Sequence, residues 1–225
     1  MDQGMKSYWA EFLGTFTLCF AGQSTLCIAR MAGLAGDTLL AVAVAHGLAL
    51  AVMISALGSV SGGHFNPAVT LGFLVTGRQK STSAFAYWGS QLLGAVIASL
   101  ILRVTLPATA IQAGRLGALS ISPEVKLGSA VVLEFIGTFL LVTSVWGTAV
   151  DERAPKIGGF GIGLTVMMNI LAIGPLTGSA LNPARAFGAA LVNGNLTNQW
   201  VWWVGPMFGG AAGAWTYSRL ILKRA

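Results

Sequence analysis

Ser61-Gly62-Gly63-His64-Phe65-Asn66-Pro67-Ala68-Val69-Thr70 is answered later in the chain by Thr177-Gly178-Ser179-Ala180-Leu181-Asn182-Pro183-Ala184-Arg185-Ala186-Phe187-Gly188. Each stretch leaves a run of small residues, passes through Asn-Pro-Ala and enters a short apolar segment, 68–76 and 184–192. Proline just inside a helix start is favoured, because its missing N–H would have no intrahelical partner there. Asparagine immediately before it caps the helix, leaving its side-chain NH2 to point outward. Segments of about ten residues are half of what a bilayer crossing needs, so they fit re-entrant half-helices.

The surroundings make the membrane the relevant solvent. Of 225 residues, 55% are apolar and 9% charged, too few charges to coat a soluble domain, where about 25% is usual. Six apolar stretches, near 8–29, 39–58, 84–104, 127–149, 157–174 and 200–222, are long enough to span. The first reads as a span rather than a cleaved leader, since it holds Glu11 and is echoed later. The formal charge of +6 does not point to nucleic acid, because the basic residues sit at the ends of the apolar blocks. Six spans put both termini on one side, with Lys6, Arg78, Lys80, Arg153, Lys156, Arg219, Lys223 and Arg224. Arg30, Arg103, Arg115 and Lys126 fall on the other. The asymmetry predicts cytoplasmic termini in a multi-pass protein of a plasma or inner membrane. Cys19 and Cys27 lie within the first span and read as small buried apolar residues.

The chain repeats itself. Glu11-Phe12-Leu13-Gly14-Thr15-Phe16 returns as Glu134-Phe135-Ile136-Gly137-Thr138-Phe139, 123 positions on. The Asn-Pro-Ala motifs are 116 apart, and Trp88, Gln91 and Gly94 face Trp203, Pro206 and Gly209 at 115. Three markers in one order describe two copies of a three-span unit, and an odd number of spans forces the copies into opposite orientations. The expected fold is an all-α membrane protein of six transmembrane helices plus two re-entrant half-helices, an inverted repeat. It forms one domain over 1–225, with halves about 1–104 and 127–225 and an extended external connection at 105–126. The half-helices then meet N-terminus to N-terminus at the midplane, where irregular backbone is tolerated only if it is buried or lines water. Their positive ends and the paired asparagines face one passage. A water there accepts from both asparagines, its neighbours orient away on either side, and cations and protons are repelled.

On these motifs the sequence resembles the aquaporin (major intrinsic protein) family over nearly its whole length. The resemblance implies a homotetramer with one pore per subunit and a constriction on the external side. Arg185 matches the family's filter arginine, and His46, Ile170 and Ser179 fall at the other three filter positions. His46, Ile170 and Gly174-Pro175 look like the tonoplast intrinsic branch and its ammonia-permeable relatives rather than the orthodox water channels, which have Phe and His in place of His46 and Ile170. Ammonia-permeable vacuolar channels can add a histidine in the external loop, where this chain has Thr109. Family glycerol channels place Asp after the filter arginine and a non-aromatic pair at the start of the last helix; this chain has Ala186 and Trp202-Trp203.

Each singled-out residue has a plainer role to weigh. An arginine one step into an apolar half-helix is expensive unless it lines water. A histidine such as His46 in an apolar span is by default a core residue, and the filter role comes from the family register. His64, beside the first motif, suits loop bracing and gating equally. Glu11 and Glu134, the carboxylates within spans, suit acceptance of backbone N–H groups from the re-entrant loops better than acid–base chemistry. No metal cluster, cofactor motif or nucleophile–base pair is spelled out, so the chain does not read as an enzyme. The expected function is a passive channel for water that excludes protons and ions, with neutral ammonia as a second permeant. Competing readings are a channel mainly for ammonia or another small neutral solute, and a secondary transporter. The implied partners are water, ammonia and the lipid bilayer.

Overall fold

The structure, a computed structural model, describes residues 2–34, 38–155 and 157–222. Lys156, Lys223 and Arg224 of the charge count lie outside the described residues. In chain order the helices are α1 (Gln3–Met31), α2 (Thr38–Ser61), α3 (Pro67–Val75), α4 (Ser81–Thr105), α5 (Ala108–Gly114), α6 (Leu127–Val145), α7 (Gly158–Thr177), α8 (Pro183–Asn193) and α9 (Val201–Thr216). Wider π-type turns prolong α6 over Trp146–Val150 and α9 over Tyr217–Ile221. Five helices are long and apolar enough to cross a membrane: α1, α2, α4, α6 with its turn, and α7. The sixth span, α9, has sixteen residues of α-helix and reaches crossing length only with its π turn. The two short helices, α3 and α8, are the half-helices.

Burial is inverted relative to a water-soluble protein. Leu48, Val52, Phe85, Val104, Phe160 and Phe208 are each more than half exposed, while Glu11, Glu134, Gln91 and Thr138 are fully buried. Outward apolar side chains cost nothing against lipid, and polar ones must find partners inside.

The inverted repeat can be followed residue by residue. Gly47 of α2 and Gly163 of α7 are 116 apart and cross each other. A Cβ on Gly47 would lie 2.8 Å from the Gly163 carbonyl oxygen, and one on Gly163 would lie 2.3 Å from that of Gly47. A pair of equivalents touching each other marks the pseudo-two-fold axis, and only a residue without a side chain lets the backbones approach so closely.

Two sequence expectations need correction. The connection at 105–126 is not simply extended: it carries α5 and a left-handed turn at Arg115, Leu116 and Gly117 (φ 51, 53 and 74°). Span five does not stop at Gly174 but continues through Pro175 to Thr177. Proline in a last turn forfeits little of the hydrogen-bond ladder, and Gly178 (φ 82°) closes the helix by donating to the Gly174 carbonyl.

Candidate channel pore

The loop before each half-helix has the same unusual backbone. Gly62 and Gly178 (φ 91 and 82°), Gly63 and Ser179 (65 and 47°), and Phe65 and Leu181 (50 and 55°) are all left-handed. For Phe65 and Leu181 that conformation costs about 1–2 kcal/mol each. It turns their carbonyls toward the opposite loop, where the asparagines meet them. Asn66 Nδ2 donates to the Leu181 carbonyl and Asn182 Nδ2 to the Phe65 carbonyl, both at 2.8 Å. Each Oδ1 caps its own helix, Asn66 accepting from Ala68 N and Asn182 from Ala184 N and Arg185 N. The side-chain NH2 groups are thus not wholly free: one N–H of each ties the halves together, and one remains. Pro67 and Pro183 take the first helical positions, and Ala68 and Ala184 are completely buried behind them.

Two carboxylates hold these loops. Glu11 accepts from Ser61 Oγ (2.7 Å), His64 N (2.9 Å), Phe65 N (2.6 Å) and Gln91 Nε2 (2.7 Å). Glu134 accepts from Thr177 Oγ1 (2.7 Å), Ala180 N and Leu181 N (both 2.9 Å). A helical turn away on the same face, Gly14 leaves room for the Phe65 ring and Gly137 for the Leu181 side chain. The repeated Glu-x-x-Gly thus grips each loop twice, by its N–H groups and by its left-handed residue. The halves differ at one point: Gln91 adds a donor to Glu11, whereas its equivalent by the 115-residue offset is Pro206, which has none to give. Sequence reasoning missed Tyr87 and Trp202, also 115 apart. Their O–H and N–H satisfy the last carbonyls of α2 and α7, Ser61 O at 2.7 Å and Thr177 O at 2.9 Å.

Asn66, Asn182, His46, His64, Ile170, Ser179 and Arg185 line one cavity that follows the axis between the halves. It leaves about 20 Å³ for water centres, little more than one water requires. Toward the side without the termini it meets a vestibule of about 470 Å³, with Ile170 and Arg185 common to both. His46, Ser179 and Arg185 make the lining polar on that side, whereas their equivalents Ile162, Gly63 and Val69 line the other, where His64 is the polar exception.

Arg185 is buried and held on three sides. Its Nε donates to His46 Nε2 (2.9 Å), Nη1 to the Ser179 carbonyl (3.3 Å) and Nη2 to the Gly178 carbonyl (3.4 Å). Guanidinium N–H can only donate and a carbonyl can only accept. His46 must therefore be neutral, with Nδ1–H toward the Val42 carbonyl (2.9 Å) and Nε2 accepting from Arg185. Both ring nitrogens are used, so His46 has none left for ammonia. The ring fits because α1 presents Gly22 there. Ser179 Oγ is buried without a partner among the described residues, and Ser179 lines the cavity. His64 stacks on Phe73 (4.2 Å between ring centres) and its Nδ1 lies 3.1 Å from Thr70 Oγ1. Thr109 lies on α5 with its hydroxyl on Met31 Sδ, and is not among the residues lining the cavity or the vestibule.

The comparisons with known proteins agree with this geometry. The family model described as Major intrinsic protein matches residues 2–217. "Probable aquaporin TIP2-2" of Arabidopsis thaliana is 40% identical over 230 residues, covering 97% of this chain and 88% of the relative. "Aquaporin TIP1-2" of Zea mays is 42% identical over 224 residues, covering 96% and 86%. Among solved structures, the aquaglyceroporin from Plasmodium falciparum superposes with a TM-score of 0.88 at 26% identity, covering 97% of each chain. Built from two inverted halves that share one narrow cavity, the chain belongs to the major intrinsic protein family, that of the aquaporins.

Proposed function

We propose that the chain is a passive channel that conducts water in single file and rejects protons and ions. The observation that carries this is the reciprocal pair of asparagines at the narrow centre of the cavity, each with one N–H spent on the other loop and one remaining. Both half-helices point their positive ends there. A water at that point accepts from both asparagines, and its own protons face outward along the file. Its neighbours on each side are oriented oppositely, so no continuous proton wire forms. Arg185 adds a fixed positive charge at the constriction, which raises the barrier to cations.

In this reading Asn66, Pro67, Ala68, Asn182, Pro183 and Ala184 form the central station, and His46, Ile170, Ser179 and Arg185 the filter. Glu11, Glu134 and His64 support the loops. The whole chain acts as one domain of two halves, with four copies side by side and one pore in each. The basic residues support cytoplasmic termini. A plasma or inner membrane is one location; relatives of the tonoplast type set the vacuolar membrane against it, and fractionation of tagged protein decides. Reconstituted vesicles exposed to an osmotic step test the function. Shrinkage many times faster than empty lipid, with no proton leak, is expected; shrinkage at the lipid rate refutes it.

Ammonia stays a second permeant in this reading, supported by Ile170, which leaves one filter wall without a donor. The His46 ring, occupied on both nitrogens, does not support ammonia as the main cargo. A secondary transporter needs a site for a coupling ion or a substrate charge, and the carboxylates Glu11 and Glu134 are engaged by loop donors on both oxygens.

A further inference from the structure

The two halves differ at the outer ends of their half-helices. Beyond the end of α8, Arg103 of α4 lies over the last turn, its guanidinium donating to the Val192 carbonyl. This is the usual complement to the negative end of a helix. In the other half the equivalent of Val192 is Thr76, 116 positions earlier, and the equivalent of Arg103 is Ser218, 115 later. Serine is too short to cover a helix end. A pocket of about 250 Å³ opens there instead, on the side of the termini, between Thr76 and Arg78 on one wall and Trp215, Ser218 and Arg219 on the other.

The pocket sets two guanidinium charges against the partial negative end of α3, a positive excess that suits an anion. Arg78 and Arg219 are exposed, and neither side chain is bonded to a described residue, unlike Arg103, Arg153 and Arg185. Ser218 Oγ accepts from Trp146 Nε1 at 2.7 Å, which leaves its O–H to donate. Among the described residues no carboxylate lines the pocket. Its rim is apolar: Val75 is 48% and Trp215 52% exposed, and both line it. An indole at the membrane surface beside two unpaired guanidinium groups matches a ligand that is anionic at one end and hydrocarbon at the other. Free phosphate would leave the apolar rim unused. We propose that this pocket binds the phosphate of an anionic membrane lipid, with the glycerol and upper acyl chain against Trp215 and Val75.

The test uses the full chain in mild detergent with phosphatidylglycerol as the probe, counting lipid retained per chain by native mass spectrometry. Wild type should retain phosphatidylglycerol in preference to phosphatidylcholine. Arg78→Gln/Arg219→Gln should lower its affinity roughly tenfold or more. Water permeability at the wild-type level certifies the fold of the variant, since neither residue lines the pore. Equal retention by wild type and the double variant overturns the proposal, as does equal retention of the two lipids. Displacement of the lipid by millimolar inorganic phosphate also overturns it, by marking a site for the free ion.

Discussion

Arg185 donates its Nε proton to Nε2 of His46 at 2.9 Å, joining the first turn of α8 to the middle of α2 across 139 residues of sequence. The histidine is therefore a fixed acceptor that sets the plane of the guanidinium, and the remaining Arg185 donors are aimed by two loop carbonyls.

Taking the acceptor away should slow water. In His46→Leu the Nε–H of Arg185 has no partner but a passing water, which it holds longer. The expected loss is roughly fivefold in osmotic permeability, the kinetic equivalent of about 1 kcal/mol. His46→Gln retains an acceptor oxygen and should stay nearer wild type. Stopped-flow shrinkage of vesicles compares the three, and equal rates for Leu and wild type contradict the positioning role.

Ser179→Gly exchanges a left-handed serine for the residue that already occupies the equivalent place, Gly63. Relief of about 1 kcal/mol of backbone strain is offset by the greater freedom of glycine in the unfolded chain, about 0.4–1 kcal/mol. Thermal stability should hardly move. The filter loses a hydroxymethyl group and a hydroxyl without a protein partner, so ammonia should pass about two- to fivefold faster, with width and lining donors both contributing. Internal pH after an ammonium step reads this out.

Glu11→Gln and Glu134→Gln should damage folding more than the conductance of each folded pore. An amide offers one acceptor oxygen and turns an NH2 toward donors, and each buried bond lost costs about 1–3 kcal/mol. Glu11→Gln should be the worse, because Glu11 accepts from four donors and Glu134 from three. Yield and melting temperature in detergent rank the variants. A normal yield with transport abolished would contradict the supporting role.

Beyond α6, Asp151 is clasped by Arg153 (Nε at 2.9 Å, Nη2 at 2.6 Å) and by the Tyr217 hydroxyl (3.3 Å), while Arg153 reaches the Ile221 carbonyl at 3.2 Å. The guanidinium holds the Asp151 carboxyl well below the usual carboxylate range. A depressed pKa contributes stability at every pH above the unfolded value of about 3.9, and loses it only as pH falls through the folded one. Proteolysis of this loop should be flat from about pH 5 to 8 in wild type and faster throughout in Asp151→Asn. A rate that rises between about pH 8 and 5 in wild type contradicts the clasp.

Much of this was legible in residue order. Charge-poor stretches announced the spans, and the Glu-x-x-Gly and Asn-Pro-Ala repeats announced the inverted halves. What stayed hidden depends on backbone and on partners far away. The asparagine cross-ties need Phe65 and Leu181 to be left-handed, which neither side chain advertises. Tyr87 and Trp202 do one job at equivalent positions, but as different residues, while the identical Trp88 and Trp203 beside them draw the eye. The neutral tautomer of His46 becomes evident only once a donor-only arginine is seen against it. The π turns closing α6 and α9 carry no residue, such as proline, that would set them apart from ordinary helix.

The cross-ties also bear on how the chain is made. When the first repeat leaves the ribosome, the Phe65 carbonyl has no native donor, because Asn182 is 117 residues away and not yet synthesised. Asn66 likewise waits for Leu181, 115 residues downstream. Each repeat meets its loop N–H groups with its own glutamate but leaves one loop carbonyl for the other repeat to satisfy. The cavity that both halves line is therefore completed only once the second repeat has been made.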